Sequence, residues 1–231
     1  RIKLMINVVH VALHHYGDWT ELTESFNFIV NNPYYLPIPS RGINLEVFRI
    51  YGGSRIDVRE FIEKVKNHGS TIVKVLNIIP SRNYTDTVMY GDYGRSVKSI
   101  FVENMFIIED SCFKQGMEYY TAVMAPLKVS VNKHISNLLS MLNERAHVAS
   151  VNVNKVDLKD LEPINLLTPI EREVLNVAYE LGYFNYPKGA DLDEVAMELN
   201  LSKSTVNYHL RNAIKKIVSR SIKNIGKEGR C

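Results

Sequence analysis

The chain has 231 residues, 45% apolar and 23% charged, with a net charge of +3. That composition excludes a disordered or collagen-like chain. No run of 18 apolar residues offers a membrane helix, and the length suits one large domain or a domain with a small satellite.

The charge is uneven. From Leu201 onward eight basic residues face one acid, Glu228, so this stretch carries +7 and the rest −4. A chain basic at one end and acidic elsewhere fits a nucleic-acid-binding module joined to something else. The two cysteines, Cys112 and Cys231, give neither a disulfide framework nor a CxxC metal motif. With no signal-peptide pattern at the start, the expectation is a cytoplasmic protein with reduced thiols.

Residues 2–13 are rich in Ile and Val and read as a strand. Gly17 and Asp18 break it, and Asp18 with Glu21 has capping-box spacing for a helix running toward Val30. Residues 31–39 are expected to be a loop, since Pro33, Pro37 and Pro39 deny both helix and ladder. Residues 45–51 form a strand candidate closed by Gly52-Gly53. Val58, Phe61, Ile62 and Val65 then fall at helical spacing, followed by a β-prone run over 71–79. The theme returns with a strand candidate at 118–124, a helix marked by Val131, Ile135, Leu138, Leu139 and Leu142, and an alternating strand over 147–156. Two β-α-β units predict an α+β domain of ferredoxin-like or ACT-like type over 1–156. Polar residues 157–165 read as a linker, and 166–231 as an all-α helix-turn-helix domain.

In that domain Thr168 caps a helix, Pro169 takes its first position and Glu171 the third. Val174, Leu175, Ala178 and Leu181 make its apolar stripe, Gly182 suits a left-handed C-cap, and Phe184 is expected to pack into the small core. A short helix over 192–199 buries Val195, Ala196 and Leu199. After the turn Asn200-Leu201-Ser202, Ser202 caps the next helix, with Val206, Leu210, Ala213, Ile214 and Ile217 facing inward. The opposite face, starting from Ser202 and Thr205, displays Lys203, Ser204, Asn207, Tyr208 and Arg211, with Lys215 and Lys216 beyond. Asn and Arg can bond adenine and guanine edges, while Ser, Tyr and Lys hold phosphates.

These residues resemble a family. Leu167-Thr-Pro-x-x-Arg172-Glu-Val-Leu, then Gly182-Tyr183-Phe184-x-Tyr186-Pro187, then Ser202-x-Ser204-Thr205 and His209-Leu210-Arg211 are similar to the HTH-10, or bacterio-opsin-activator-type, regulators of archaea. Lys188 stands where many relatives have Arg. The resemblance implies an archaeal transcription regulator whose N-terminal domain senses or oligomerises. Residues 14–20 are also similar, over a short span, to the opening of such regulators.

For the N-terminal domain several readings stay open. His14, His15, Asp18 and Trp19 can form one wall of a ligand pocket, or simply a strand end, a helix cap and a core Trp. Cys112 and Tyr119 lie in segments rich in aromatics and carboxylates that can line the same pocket or a sheet core. His10, His14 and Cys112 are too scattered for a metal site, so no metal and no cofactor are expected. GxGxxG, P-loop and GxSxG are absent, and an enzyme is not expected. The expected partners are double-stranded DNA, a small-molecule effector, a second copy in a homodimer and the transcription machinery, with no membrane. The alternatives are a domain that only dimerises and an enzyme with an accessory DNA-binding domain.

Overall fold

The computed structural model describes residues 5–124, 130–157 and 167–225, and the chain divides into two compact units between Lys155 and Val156. The first unit follows the order β1 (Met5–His14), α1 (Leu22–Phe26, entered through a 3-10 turn Trp19–Glu21), β2 (Ile29–Ile38), β3 (Ile43–Tyr51), α2 (Arg55–Asn67) and β4 (Ile72–Pro80). It continues with β5 (Tyr84–Asp92), α3 (Val97–Glu103), β6 (Phe106–Lys114), β7 (Met117–Met124), α4 (Val131–Asn143) and β8 (His147–Asp157). The second unit holds α5 (Pro169–Glu180), α6 (Leu192–Glu198) and α7 (Lys203–Ile225). No helix among the described residues is long and apolar enough to cross a membrane.

All eight strands join one sheet in the order β4-β5-β3-β2-β6-β7-β1-β8. The neighbours β1–β7, β2–β3, β2–β6, β3–β5, β4–β5 and β6–β7 are antiparallel. The order is symmetric about the central β2–β6 pair. Outward from it run β3, β5 and β4 on one side and β7, β1 and β8 on the other. Along the chain the succession β-α-β-β-α-β occurs twice, from β1 to β4 and from β5 to β8. The first strands are exchanged: β5 sits between β3 and β4, and β1 between β7 and β8. Matching details recur. The helices α2 and α4 both span 13 residues behind a serine N-cap, Ser54 and Ser130. Asn27 and Met105, each just before β2 or β6, both adopt positive φ, 50° and 60°.

Strand alternation directs Val9, Val11 and Leu13 of β1, Phe48 and Ile50 of β3, and Tyr120 and Ala122 of β7 to one face. There they meet Phe61, Ile62 and Val65 of α2, Ile100 and Phe101 of α3, and Leu138 and Leu142 of α4 in a single core. Trp19 is buried in it, edge-on to Phe48, Phe61 and Phe113.

Three expectations are corrected. Residues 31–38 belong to strand β2, not a loop: a bulge between Asn31 and Tyr34 takes Pro33 out of the ladder, and β6 pairs with β2 only at Val30 and Asn31. Prolines are tolerated at such bulges and unpaired edges. Asp18 caps no helix by its side chain, because Oδ1 instead accepts from the Thr71 hydroxyl at 2.6 Å. The helix after it is correspondingly short. Cys112 is disulfide-bonded, so reduced thiols do not hold for it. Strand β5 and helix α3 were absent from the sequence reading. Apart from Asp157, the linker expected over 157–165 lies outside the described residues, as do Ile2–Leu4 of the first predicted strand.

The second unit has its own small core of Val174, Ala178, Val195, Ala196, Val206 and Leu210. Two capping boxes fix its helix starts, Thr168 with Glu171 on α5 and Asp191 with Glu194 on α6. Gly182, at φ +76°, ends α5 as expected, and a Cβ on Gly189 would come 2.7 Å from the Leu181 carbonyl. Two apolar residues differ from expectation. Phe184 is 46% exposed, with Tyr183 packing against the core in its place, and Ile217 is 41% exposed beyond the end of the bundle core.

Removing side-chain volume from the centre of the first core has a calculable cost. Leu138→Ala, at a fully buried site, is expected to lower stability by about 2–5 kcal/mol. Ile56→Ala, on the exposed face of α2, stays within about 0.5 kcal/mol. Urea unfolding of both variants checks the contrast.

Candidate nucleic-acid interface

Helix α7 starts at Ser202, whose Oγ accepts from the Thr205 amide at 3.1 Å and shares hydrogen bonds with the Ser204 and Thr205 hydroxyls. Asn200 takes the left-handed conformation that lets the chain turn sharply from α6, φ +52°. The buried stripe Val206, Leu210 and Ala213 seats α7 on α5 and α6. That docking leaves Lys203, Ser204, Asn207, Tyr208, Arg211 and Lys215 exposed, with Thr205 half-buried. Asn207 and Arg211 lie one turn apart, and neither has a hydrogen-bond or ion-pair partner among the described residues.

Two of the expected phosphate contacts are engaged elsewhere. Lys203 bridges Asp193 at 2.6 Å, an exposed pair that exchange with solvent keeps available. Lys216 donates to Glu171 at 2.6 Å, and Glu171 is buried beside the α5 cap. Burial opposes ionisation of Glu171, but Lys216 and the Thr168 amide hold its pKa below the ordinary value. Lys216 therefore ties α7 to α5 in the isolated chain. The side chains of Arg220 and the later basic residues lie outside the described set.

The six ligand candidates of the first unit divide between the two faces of the sheet. His15, Asp18 and Trp19 converge on the helix-covered face. On the other face Cys112 pairs with Tyr119, which pairs with Ala12, two residues before His14. His14 stacks near Tyr16 and Tyr119 lies near Lys114. No single pocket gathers all six.

The converging group joins a buried polar cluster that was only partly legible. Glu118 of β7 accepts from the Thr20 hydroxyl at 2.9 Å and from the Tyr120 hydroxyl at 2.5 Å, and lies 3.4 Å from His15 Nδ1. Asp18 sits 4.0 Å from the same nitrogen. Across the pseudo-symmetric seam Glu46 of β3 pairs with Lys98 of α3, both buried. A Cβ on Gly91 would approach Glu46 Oε1 to 3.0 Å, so any larger residue on β5 there would require the carboxylate to shift. Between these groups remains a cavity of about 20 Å3, room for one water and no metabolite. His15, Asp18 and Glu118 are close enough to share a cation. Their oxygens, however, already accept from Thr71, Thr20 and Tyr120, and the imidazole beside them supplies the compensating charge.

Burial disfavours the His15 imidazolium, but its hydrogen bond to Glu118 and the charges of Glu118 and Asp18 carry its pKa above the ordinary value. Burial likewise works against ionised Glu118, and His15, Tyr120 and Thr20 outweigh it and hold its pKa down. The His15 contribution to stability is thus complete below about pH 6.5 and lost as pH rises through its raised pKa. The Glu118 contribution is present above about pH 4.5 and lost as pH falls through its lowered pKa. In Glu118→Gln the alkaline loss between pH 6.5 and 8.5 is expected to shrink, which urea unfolding across that range measures. An unchanged alkaline limb would place the titration elsewhere.

The comparisons agree with this geometry. Residues 167–219 match the family model HTH_10, described as an HTH DNA binding domain. Over 52 residues the chain is 44% identical to "Transcriptional regulator NarO" of Haloferax volcanii, spanning 22% of this chain and 25% of that protein. A "Putative transcriptional regulator" of the same organism is 40% identical over 52 residues, 22% of this chain and 9% of its own length. The chain thus matches a quarter or less of these relatives. No solved structure matches. Residues 167–219 form a helix-turn-helix DNA-binding domain of the HTH_10 family.

Proposed function

We propose that the chain is a sequence-specific transcription regulator, reading duplex DNA with α7 while its first unit responds to a small molecule. The carrying observation is the family match over 167–219 combined with the unpartnered Asn207 and Arg211 on the open face of α7. Asn207 and Arg211 are assigned to base edges. Lys203, Ser204, Tyr208 and Lys215 are assigned to phosphates, with the Ser202-capped helix start, including Thr205, against the backbone. One such helix touches few bases, so a homodimer on two half-sites is the expected assembly, acting on the transcription machinery. The domain division proposed is 1–156, a linker over 157–165, and 166–231. The repeated β-α-β-β-α-β succession supports reading the first unit as two interlocked ferredoxin-like halves.

A second reading has a specific observation in its favour. The cavity beside His15 and Trp19 is too small for a metabolite, which suits a first unit that only dimerises. Sensing, on the leading reading, therefore uses a different part of the unit.

Selection of duplexes from a random pool tests DNA reading. Arg211→Ala is expected to cost about 1–3 kcal/mol on the selected site and to relax one base position. Equal weakening on random duplex would move Arg211 to the phosphate class. Lys215→Ala should reduce the salt slope of binding by about 1. Lys216→Ala should leave that slope unchanged and lower the melting temperature, because Glu171 loses its buried partner. A reduced slope in Lys216→Ala would restore it to the interface.

A further inference from the structure

Between α2 and the β4–β5 turn lies an open cavity of about 780 Å3, within the range of small-molecule sites. Its wall is apolar, with Val58 and Ile62 of α2 and Ile78 of β4. Three arginines surround it: Arg55 and Arg59, one helical turn apart, and Arg82 in the β4–β5 turn. All three are exposed, and none has an ion-pair partner among the described residues.

Their isolation is a property of this site. In the same unit Arg49 is held by Asp86 and Arg95 by Asp92, both at 2.8 Å. The acids near the cavity are already engaged. Glu63, the one acid lining it among the described residues, pairs with Lys66 at 2.5 Å, Glu60 pairs with Lys64, and Asp57 closes the α2 capping box. The first turn of α2 adds the positive end of its backbone dipole. The fold does not require these cations either. Helix α4, of the same length and also with serine at its N-cap position, carries Val131 and Ile135 at the positions of Arg55 and Arg59. Three guanidinium groups around one apolar wall repel one another until an anion joins them, and planar guanidinium suits phosphate or carboxylate in two-point contact.

We propose that this cavity binds a small organic anion, an apolar body bearing a phosphate or carboxylate, and that it is the effector site of the first unit. The effector role rests on the sensing reading above; the binding itself does not.

The probe is 1-anilinonaphthalene-8-sulfonate, titrated by fluorescence against the intact chain and displaced with phenyl phosphate, phenylacetate or inorganic phosphate. Saturable binding is expected, with phenyl phosphate or phenylacetate displacing the probe well ahead of inorganic phosphate. Which of the two competes better distinguishes a phosphate ligand from a carboxylate one. The double variant Arg59→Ala/Arg82→Ala should weaken probe binding about tenfold or more at an unchanged melting temperature, since neither arginine holds the fold together. Binding that survives the double variant, or equal displacement by inorganic phosphate, overturns the proposal. So does a double variant that loses duplex affinity with no ligand present, because the arginines then serve DNA. Arg-dependent probe binding supports the site. If phenyl phosphate or phenylacetate then leaves DNA affinity unchanged, the effector role falls and the anion site stands.

Discussion

A carboxylate taken out of water needs a partner, and the first unit buries one in each half of its sheet, Glu46 on β3 and Glu118 on β7. The basic partner of each comes from the opposite half of the chain. Glu46 is met by Lys98 from α3, in the second succession, and Glu118 by Thr20 and His15, from the first. This crossing follows from the exchange of β1 and β5, since the segment leaving each exchanged strand begins beside the other half's sheet. Trp19 repeats the arrangement in apolar form, touching Phe48 and Phe61 of one half and Phe113 of the other. Neither half can satisfy its buried charge alone. The eight strands therefore form one cooperative unit rather than two small domains, with the polar seam fixing how the halves register.

The parts of this fold that were legible in the sequence are those decided by local periodicity. α2 and α4 showed their apolar stripes, β3, β4, β7 and β8 their β-prone runs, α5 and α7 their caps, and α6 its apolar residues. What was hidden depends on partners far along the chain. Pro33 and Pro37 argued against a strand until the bulge and the open edge of β2 made room for them. Strand β5 reads as Tyr-Thr-Asp-Thr-Val-Met-Tyr-Gly-Asp, with too few apolar residues to stand out, because Thr87 and Gly91 face a core polarised by Glu46. Asp18 looked like a cap because its spacing to Glu21 is right, and was drawn instead to Thr71, 53 residues away. At the candidate sites the same division holds. The exposed polar face of α7 was readable from helical spacing, whereas Glu46, Lys98 and Thr71 carry no local pattern that marks them as neighbours of Trp19.

The second unit resolves a different constraint. A core of six buried residues is small, and the exposed face of α7 adds nothing to it. Caps and charge supply what apolar area cannot. Two capping boxes satisfy the orphan amides of α5 and α6, and Lys216 reaches from α7 to the Glu171 carboxylate within the first of them. One basic residue of the helix is thereby diverted to hold its angle, which leaves Asn207 and Arg211 free at a fixed height above the bundle.

The repeated succession of elements makes the asymmetries informative. Where two halves share strand order, helix length and a serine cap, the fold itself accounts for what they have in common, and differences between them call for another cause. In the seam the difference is Lys98 on one side and Thr20 with His15 on the other, so one carboxylate is paired with an ammonium and the other with an imidazole whose pKa it raises. On the helices it is Arg55 and Arg59 against Val131 and Ile135. An aliphatic pair at the start of α4 can contribute to packing, while the arginines of α2 stand exposed around an open apolar cavity without contributing a contact that holds the sheet. Cations that hold nothing together in the isolated chain are what the proposed anion site on the α2 side of the sheet accounts for.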